Sequence, residues 1–240
     1  MISVDTVYQK VLALLNKEQR GYMTPQEFNL LADKAQFEIF ENYFHDLKTS
    51  YHKPIKNHHS HADDISIIEE KLHPFKEQQT LENTSGTITL AVDVYRLICV
   101  TRENDLSSLG FDVEEISKRK LQYVTGNPLT APTKDRSIYV RYPSSTGFRI
   151  KIYPIPESPE VFTYEYYRRP KNPNWTYIVT GGKALYNASA NDAQDFTLVQ
   201  AEEEPLVTRI LELAGVVVMK PGIVEIAKSD RVSTKAEQNN

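Results

Sequence analysis

Asn16, Glu18, Arg20 and Glu27 occupy the first, third, fifth and twelfth places of LNKEQRGYMTPQEF (residues 15–28), the spacing of a calcium-binding loop, with Gly21 at the sixth and Met23 at the eighth. Calcium needs oxygen ligands at those places. Arg20 sets a permanent cation at the fifth, Asn16 at the first is neutral, and Pro25 at the tenth belongs to the start of a helix. Repulsion between Arg20 and a divalent ion argues against binding, and the stretch reads as a turn between two helices. His59, His61 and Asp63 in NHHSHADD, with His58 beside them, follow the first part of H-x-H-x-D-H, a metal run of metallo-β-lactamase-type hydrolases. Asp64 stands where the last histidine belongs, and His73 is the one histidine downstream. The expectation is a solvated loop, with adventitious nickel or zinc uptake by an exposed histidine cluster as the alternative ahead of a hydrolytic centre. A metal-binding or metal-sensing protein built on His58, His59 and His61 is kept as an alternative.

Other chemical patterns are incomplete. TGGKA lacks the phosphate-loop glycine at Tyr177 and the hydroxyl residue at Ala184, so it reads as a hairpin turn. EYYRRPKNPNW interleaves Arg168, Arg169 and Lys171 with Tyr166, Tyr167 and Trp175, as a single-strand binder does. A strand followed by a basic turn gives the same letters. Glu69–Glu70 and Glu114–Glu115 lie in charged stretches that read as solvated helix faces. Cys99, the single cysteine, sits in the apolar run YRLICVT and reads as a buried thiol, with no disulfide or thiolate metal site to form. All six histidines fall between 45 and 73, so no Ser–His–Asp or Cys–His order emerges. The chain is expected to be no enzyme and to hold neither cofactor nor resident metal.

The elements beneath these residues change character along the chain. Val4, Val7, Tyr8, Val11, Leu12, Leu14 and Leu15 have helical spacing and form one apolar stripe. A second helix starts at TPQE, with Thr24 as cap, Pro25 in the first position and Glu27 completing a capping box. Its band runs through Phe28, Leu31, Ala35, Ile39, Phe40, Tyr43, Phe44 and Leu47, giving an αα-hairpin. Residues 49–64 are polar, broken by Pro54, and read as a projecting loop; ISIIEEKLHPF is a short helix ended by Pro74. Beyond it the apolar period becomes two. GTITLAV, YRLICVTR, SIYVRYP, FRIKIYPIP and VFTYEYYRRP read as strands, with Phe162, Tyr164 and Tyr166 on one face. EEISKRKLQYV reads as a helix, WTYIVTGGKALYN as a hairpin about Gly181–Gly182, and DFTLV as a further strand. The fold class is therefore α+β: an N-terminal helical hairpin, an antiparallel aromatic-rich β domain, a C-terminal helix and an extended tail. The expected divisions are a helical region over 1–75, a β-rich domain over 76–200, a closing helix over 201–219 and a flexible interaction tail over 220–240, with Ile223, Val224 and Ile226 as interface anchors.

The 240 residues, 40% hydrophobic and 25% charged, are ordinary for a soluble globular protein. A net charge of −4 favours no nucleic-acid partner by itself. Neither a membrane-length apolar run nor a signal core stands out, so no membrane partner is expected.

Several segments, taken in order, carry a resemblance: NKEQRGYMTPQEFN, AQFEIFENYF, VYRLICV, NPLTAP, YYRRPKNPNW, ALYNASANDAQDFTL and ILELAGVVVMKP. Together, over about residues 4–226, they resemble virion structural proteins of crAss-like and related podoviruses, with the neck ring protein between portal and tail as the nearest likeness. The histidine-rich stretch at 52–61 departs from the Asn/Lys-rich tip of that pattern. The resemblance implies a head-to-tail adaptor: a homo-oligomeric ring, typically a dodecamer, stacked under the portal protein. It would meet adjacent neck or tail rings and extend the channel for DNA without sequence recognition. It also implies residence in the virion after synthesis in the host bacterial cytoplasm. A different virion layer, such as a second neck ring or a tail-tube component, fits the same segments.

Overall fold

The computed structural model describes residues 1–17, 23–52, 58–83, 85–104, 107–144, 147–156 and 160–217. The chain is α+β. It forms two compact units, one of Met1–Pro74 with the chain from Pro170 onward and one of Phe75–Arg169. No helix among the described residues is long and apolar enough to cross a membrane.

In the first unit, α1 (Val4–Lys17) buries Val4, Val7, Tyr8, Val11 and Leu15 of the expected stripe, while Leu12 is half-buried and Leu14 is 45% exposed. α2 (Pro25–His52) begins as the capping box dictates. The Glu27 carboxylate accepts hydrogen bonds from the Thr24 backbone N–H (2.9 Å) and hydroxyl (2.8 Å), and the Glu27 N–H donates to the Thr24 hydroxyl. Those donors, the backbone one foremost, hold the Glu27 carboxyl below its usual range. α3 (His58–Leu72) and α5 (Glu203–Val217) both pack on α2, and α1 packs on α5. Ion pairs tie the layers. Lys10 reaches Glu203 and Glu204 at 2.8 Å each, Lys71 reaches the buried Glu202 at 2.9 Å, and Arg209 joins Glu38 to Glu212.

Four expectations change here. The loop over 49–64 is helical at both ends, through His52 in α2 and from His58 in α3, while 53–57 lie outside the described residues. Pro54 is the one helix breaker in that stretch, and polar residues alone do not stop a helix. The closing helix starts at Glu203, after a 3-10 turn at Gln200–Glu202. Residues 170–200, expected with the β domain, belong to the helical unit. DFTLV forms no strand there; Phe196 makes an isolated bridge to Ile2, and the Asp195 carboxylate accepts from the Val4 N–H at 2.9 Å, satisfying the first turn of α1.

The second unit is a pair of four-stranded sheets. One is ordered β1 (Lys76–Asn83), β8 (Glu160–Arg168), β3 (Val94–Asn104), β4 (Ser107–Asp112). The other is ordered β2 (Thr87–Thr89), β7 (Gly147–Tyr153), β6 (Ile138–Ser144), β5 (Glu114–Glu115). All pairings are antiparallel except β5 with β6. Ile88, Tyr139, Ile150 and Ile152 of the second sheet share one core with Leu97, Val100, Phe162, Tyr164 and Tyr166 of the first, the interleaving of a β-sandwich. Phe162, Tyr164 and Tyr166 point inward, as their alternation requires. The tyrosine hydroxyls satisfy themselves at the edge, Tyr164 on Gln79 and Tyr166 on Glu77 at 3.0 Å.

β1 and β4 were not legible, since KEQQTLEN and SSLGFD carry little apolar alternation. Glu114–Glu115 form β5 instead of opening the expected helix, so α4 spans Lys118–Gly126. Two register shifts in β3 turn Tyr95 and Ile98 partly outward. Cys99 is half-buried on the outer side, and desolvation pushes its thiol up.

Two buried polar groups generate stability predictions. Gln36 is fully buried; its amide donates to the Lys171 carbonyl at 2.8 Å and accepts from the Thr197 N–H at 2.9 Å. Gln36→Leu strands the buried Thr197 N–H and lowers unfolding free energy by about 1–3 kcal/mol, read by urea denaturation. Arg102, 4% exposed, pairs with Glu160 and donates to the Ser137 hydroxyl at 2.7 Å and the Lys134 carbonyl at 3.2 Å. Arg102→Met abandons the Glu160 carboxylate and costs about 3–5 kcal/mol by the same measurement.

Candidate functional site

EYYRRPKNPNW is divided between packing roles. Tyr166 is in the sandwich core, and Arg168 is paired with Glu77 at 2.8 Å. Trp175, 2% exposed, offers no face on which a base could stack. Lys171 contributes its carbonyl to Gln36. The helix–turn–helix reading of 15–28 holds at its ends, with α1 and α2 where it places them, while residues 18–22 lie outside the described residues. His58, His59 and His61 fall on the first turns of α3, their side chains outside the description. Among the described residues no group of three or more His, Cys, Asp or Glu gathers to hold a metal. Ile223, Val224, Ile226 and the tail over 220–240 also lie outside the described residues.

The surface that most needs a partner is the hairpin of β9 (Tyr177–Thr180) and β10 (Lys183–Tyr186). Its register is Tyr177 with Tyr186, Ile178 with Leu185, Val179 with Ala184 and Thr180 with Lys183. Gly181 and Gly182 have φ of +59° and +75°, the left-handed pair that a two-residue type I′ turn requires. A strand packed on one side alternates buried and exposed residues. β9 does not: Tyr177, Ile178, Val179 and Thr180 are all exposed, with Ile178 at 55% and Val179 at 64%. Leu185, across from Ile178, is 54% exposed. Among the described residues nothing covers the Ile178–Leu185 face or Val179 on the other, where Tyr177 and Tyr186 stack on Trp175 at the base, and a two-stranded ribbon alone is marginal in water.

Its base is held hard. The Trp175 ring lies 4.2 Å from the Tyr8 ring centre and stacks within 6 Å of both Tyr177 and Tyr186. Its indole N–H donates to Asp5 at 2.9 Å, and its backbone N–H donates to Asn29 at 2.9 Å. Asn29 in turn donates to the Asn174 side chain and the Trp175 carbonyl. The Thr176 hydroxyl donates to the Asn187 carbonyl at 2.6 Å, and the Asn187 N–H donates to the Thr176 carbonyl at 2.9 Å, closing the neck of the ribbon. Desolvation, followed by Asp195 and Asp5, pushes the Tyr186 hydroxyl up and keeps it neutral. The hairpin is thus an apolar lever on a rigid mount.

Sequence reading found the hairpin and its turn but not its exposure. Asp5 and Asn29 gave no signal, being polar residues within two helical patterns.

The mount and the lever separate by mutation. Trp175→Ala empties the anchor and lowers unfolding free energy by about 3–5 kcal/mol. Ile178→Ser with Val179→Ser, on exposed positions, leaves the single chain's unfolding free energy within about 0.5 kcal/mol per site by urea denaturation. Comparison with family models and with characterised proteins returns no match to this chain.

Proposed function

We propose that this chain is a structural protein of a phage virion that forms a ring in the neck, joins the portal to the tail and extends the DNA channel. Its role is assembly, with no catalysis assigned to it. The ordered resemblance over residues 4–226 supplies the identity in this reading. The observation that carries it on the molecule is the β9–β10 hairpin, whose Ile178, Val179 and Leu185 are more than half exposed among the described residues while its base is fixed. Subunits around a closed ring meet through heterologous contacts, one surface of each copy seating on a different surface of the next. A stiff apolar projection suits such a contact, because its base is ordered before binding and little conformational freedom remains to be lost there.

The ring contact is assigned to β9–β10 and not to the αα-hairpin, whose wide apolar band is a surplus for two helices alone. In α1 and α2 most of that surplus is spent inside the helical unit.

Native mass spectrometry of the untagged full chain tests the reading. The expected species is a closed, metal-free homo-oligomer, a dodecamer by the family likeness, unchanged by a chelator. The Ile178→Ser, Val179→Ser, Leu185→Ser variant is expected to run as a folded monomer. A monomer retaining one zinc per chain would put the metal-binding reading of His58, His59 and His61 first. A wild-type chain that stays monomeric with portal protein present would overturn the ring.

A further inference from the structure

The outer face of the β2–β7–β6 sheet holds a second feature that the ring does not use. Strand register sets Thr89, Arg149 and Tyr142 in one row and Thr87, Lys151 and Val140 in the next, followed by Tyr153 beside Ile138. The core residues Tyr139, Ile150 and Ile152 occupy the opposite face. α4 packs on β6, and Lys118 at its start reaches over the Tyr142 ring at 5.7 Å. Lys151 lies 5.4 Å from the Tyr153 ring centre. Tyr142 and Tyr153 meet through their hydroxyls; burial and that contact push the Tyr153 hydroxyl up, so it remains a donor.

The charge here runs against the chain. Residues 113–155 hold eight Lys and Arg against three Asp and Glu, a net +5, while the other 197 residues carry −9. Lys10, Lys71, Lys76, Arg102, Arg168 and Arg209 are each paired with a carboxylate. Among the described residues, Lys118, Arg149 and Lys151 have no carboxylate within ion-pair distance, although Arg141 on the other face has Glu115. The acid sharing this face is Glu114 on the edge strand β5, beside Ile138.

We infer that this face, Lys118, Tyr142, Arg149, Lys151 and Tyr153 with Thr87 and Thr89 at its rim, binds the phosphate backbone of nucleic acid without reading sequence. Arg149 and Lys151, two apart on one side of a strand, stand about 7 Å from each other, and a duplex offers one negative charge per about 1.7 Å of axis. The tyrosine rings hold the two lysine stems against the sheet by cation–π attraction, and hydroxyls of Tyr and Thr donate to phosphate oxygens. That the nucleic acid is double-stranded DNA rests on the neck-ring reading; the face itself rests on its charges.

The test is fluorescence anisotropy of the full-length protein with a random-sequence DNA duplex, titrated from about 20 to 200 mM NaCl. Each phosphate neutralised contributes about −0.9 to the slope of log K against log salt, so the three cations contribute about −2.7 per chain engaged. Lys118→Gln with Arg149→Gln and Lys151→Gln is expected to weaken binding at least tenfold at low salt and to flatten the slope by about that amount. Lys34→Gln with Lys48→Gln and Lys171→Gln, the same change in net charge at exposed sites elsewhere, is expected to leave both unchanged. Equal losses in the two variants, an unaltered slope in the first, or no duplex binding at 20 mM salt would overturn the inference. Binding to phosphatidylserine vesicles in place of DNA would overturn it in favour of a membrane-directed face. Ring formation is scored separately by mass, so a failed ring and a failed face are told apart.

Discussion

A buried amide holds the helical unit in register. Gln36 is completely enclosed, and its side chain spans two backbone groups, at Lys171 and Thr197, that lie 135 and 161 residues away in sequence. A hydrogen bond in that setting contributes little net energy when made and costs much when left unmade. It therefore selects an arrangement more than it stabilises one. Asp195 on the first turn of α1 and Asn29 on Trp175 work in the same way, and the returning chain has few other ways to satisfy its polar groups against α1 and α2. The hairpin's fixed base follows from these contacts.

The β-sandwich solves its polar problem at the periphery. Three successive inward aromatics on β8 supply bulk, and two of them are tyrosines whose hydroxyls reach side chains on β1. This gives the otherwise polar strand KEQQTLEN a reason to sit at the edge. Its Gln79 and Glu77 serve as acceptors for the core tyrosines while Lys76 pairs with Glu165 at 2.7 Å. Arg102 closes the same sheet by carrying a charge into the interior with its partners around it, a costly arrangement that is tolerable only when complete.

Local rules were legible in the sequence wherever the interaction was local. The Thr24 box, the α1 stripe, the Gly181–Gly182 turn and the inward face of β8 each depend on residues within a few positions of one another. The failures share a cause: their determinants are distant. β1 is a strand because β8 needs a neighbour, and Glu114–Glu115 are extended because they pair with Ile138 and Tyr139. Residues 170–200 sit with the helices because Trp175 fits among Tyr8, Asp5 and Asn29. For the sites, the histidines and basic aromatics stood out by letter but drew attention away from the exposed hairpin and from the cations at 118, 149 and 151. Those became visible once register placed them on one face.

The helical unit is discontinuous in sequence, with the whole of 75–169 lying between its two parts. On a ribosome this sets an order of events. The strands of the sandwich are all made by Arg168, and that unit can condense while the chain is still growing. The N-terminal helices, although made first, must wait for Trp175, Asp195, Thr197 and α5 before their apolar stripes have a lasting cover. Until about residue 217 emerges, α1 and α2 are held in suspense, with Val4, Val7, Phe28 and Phe40 open to association. Helices made before the sandwich are thus covered only after it.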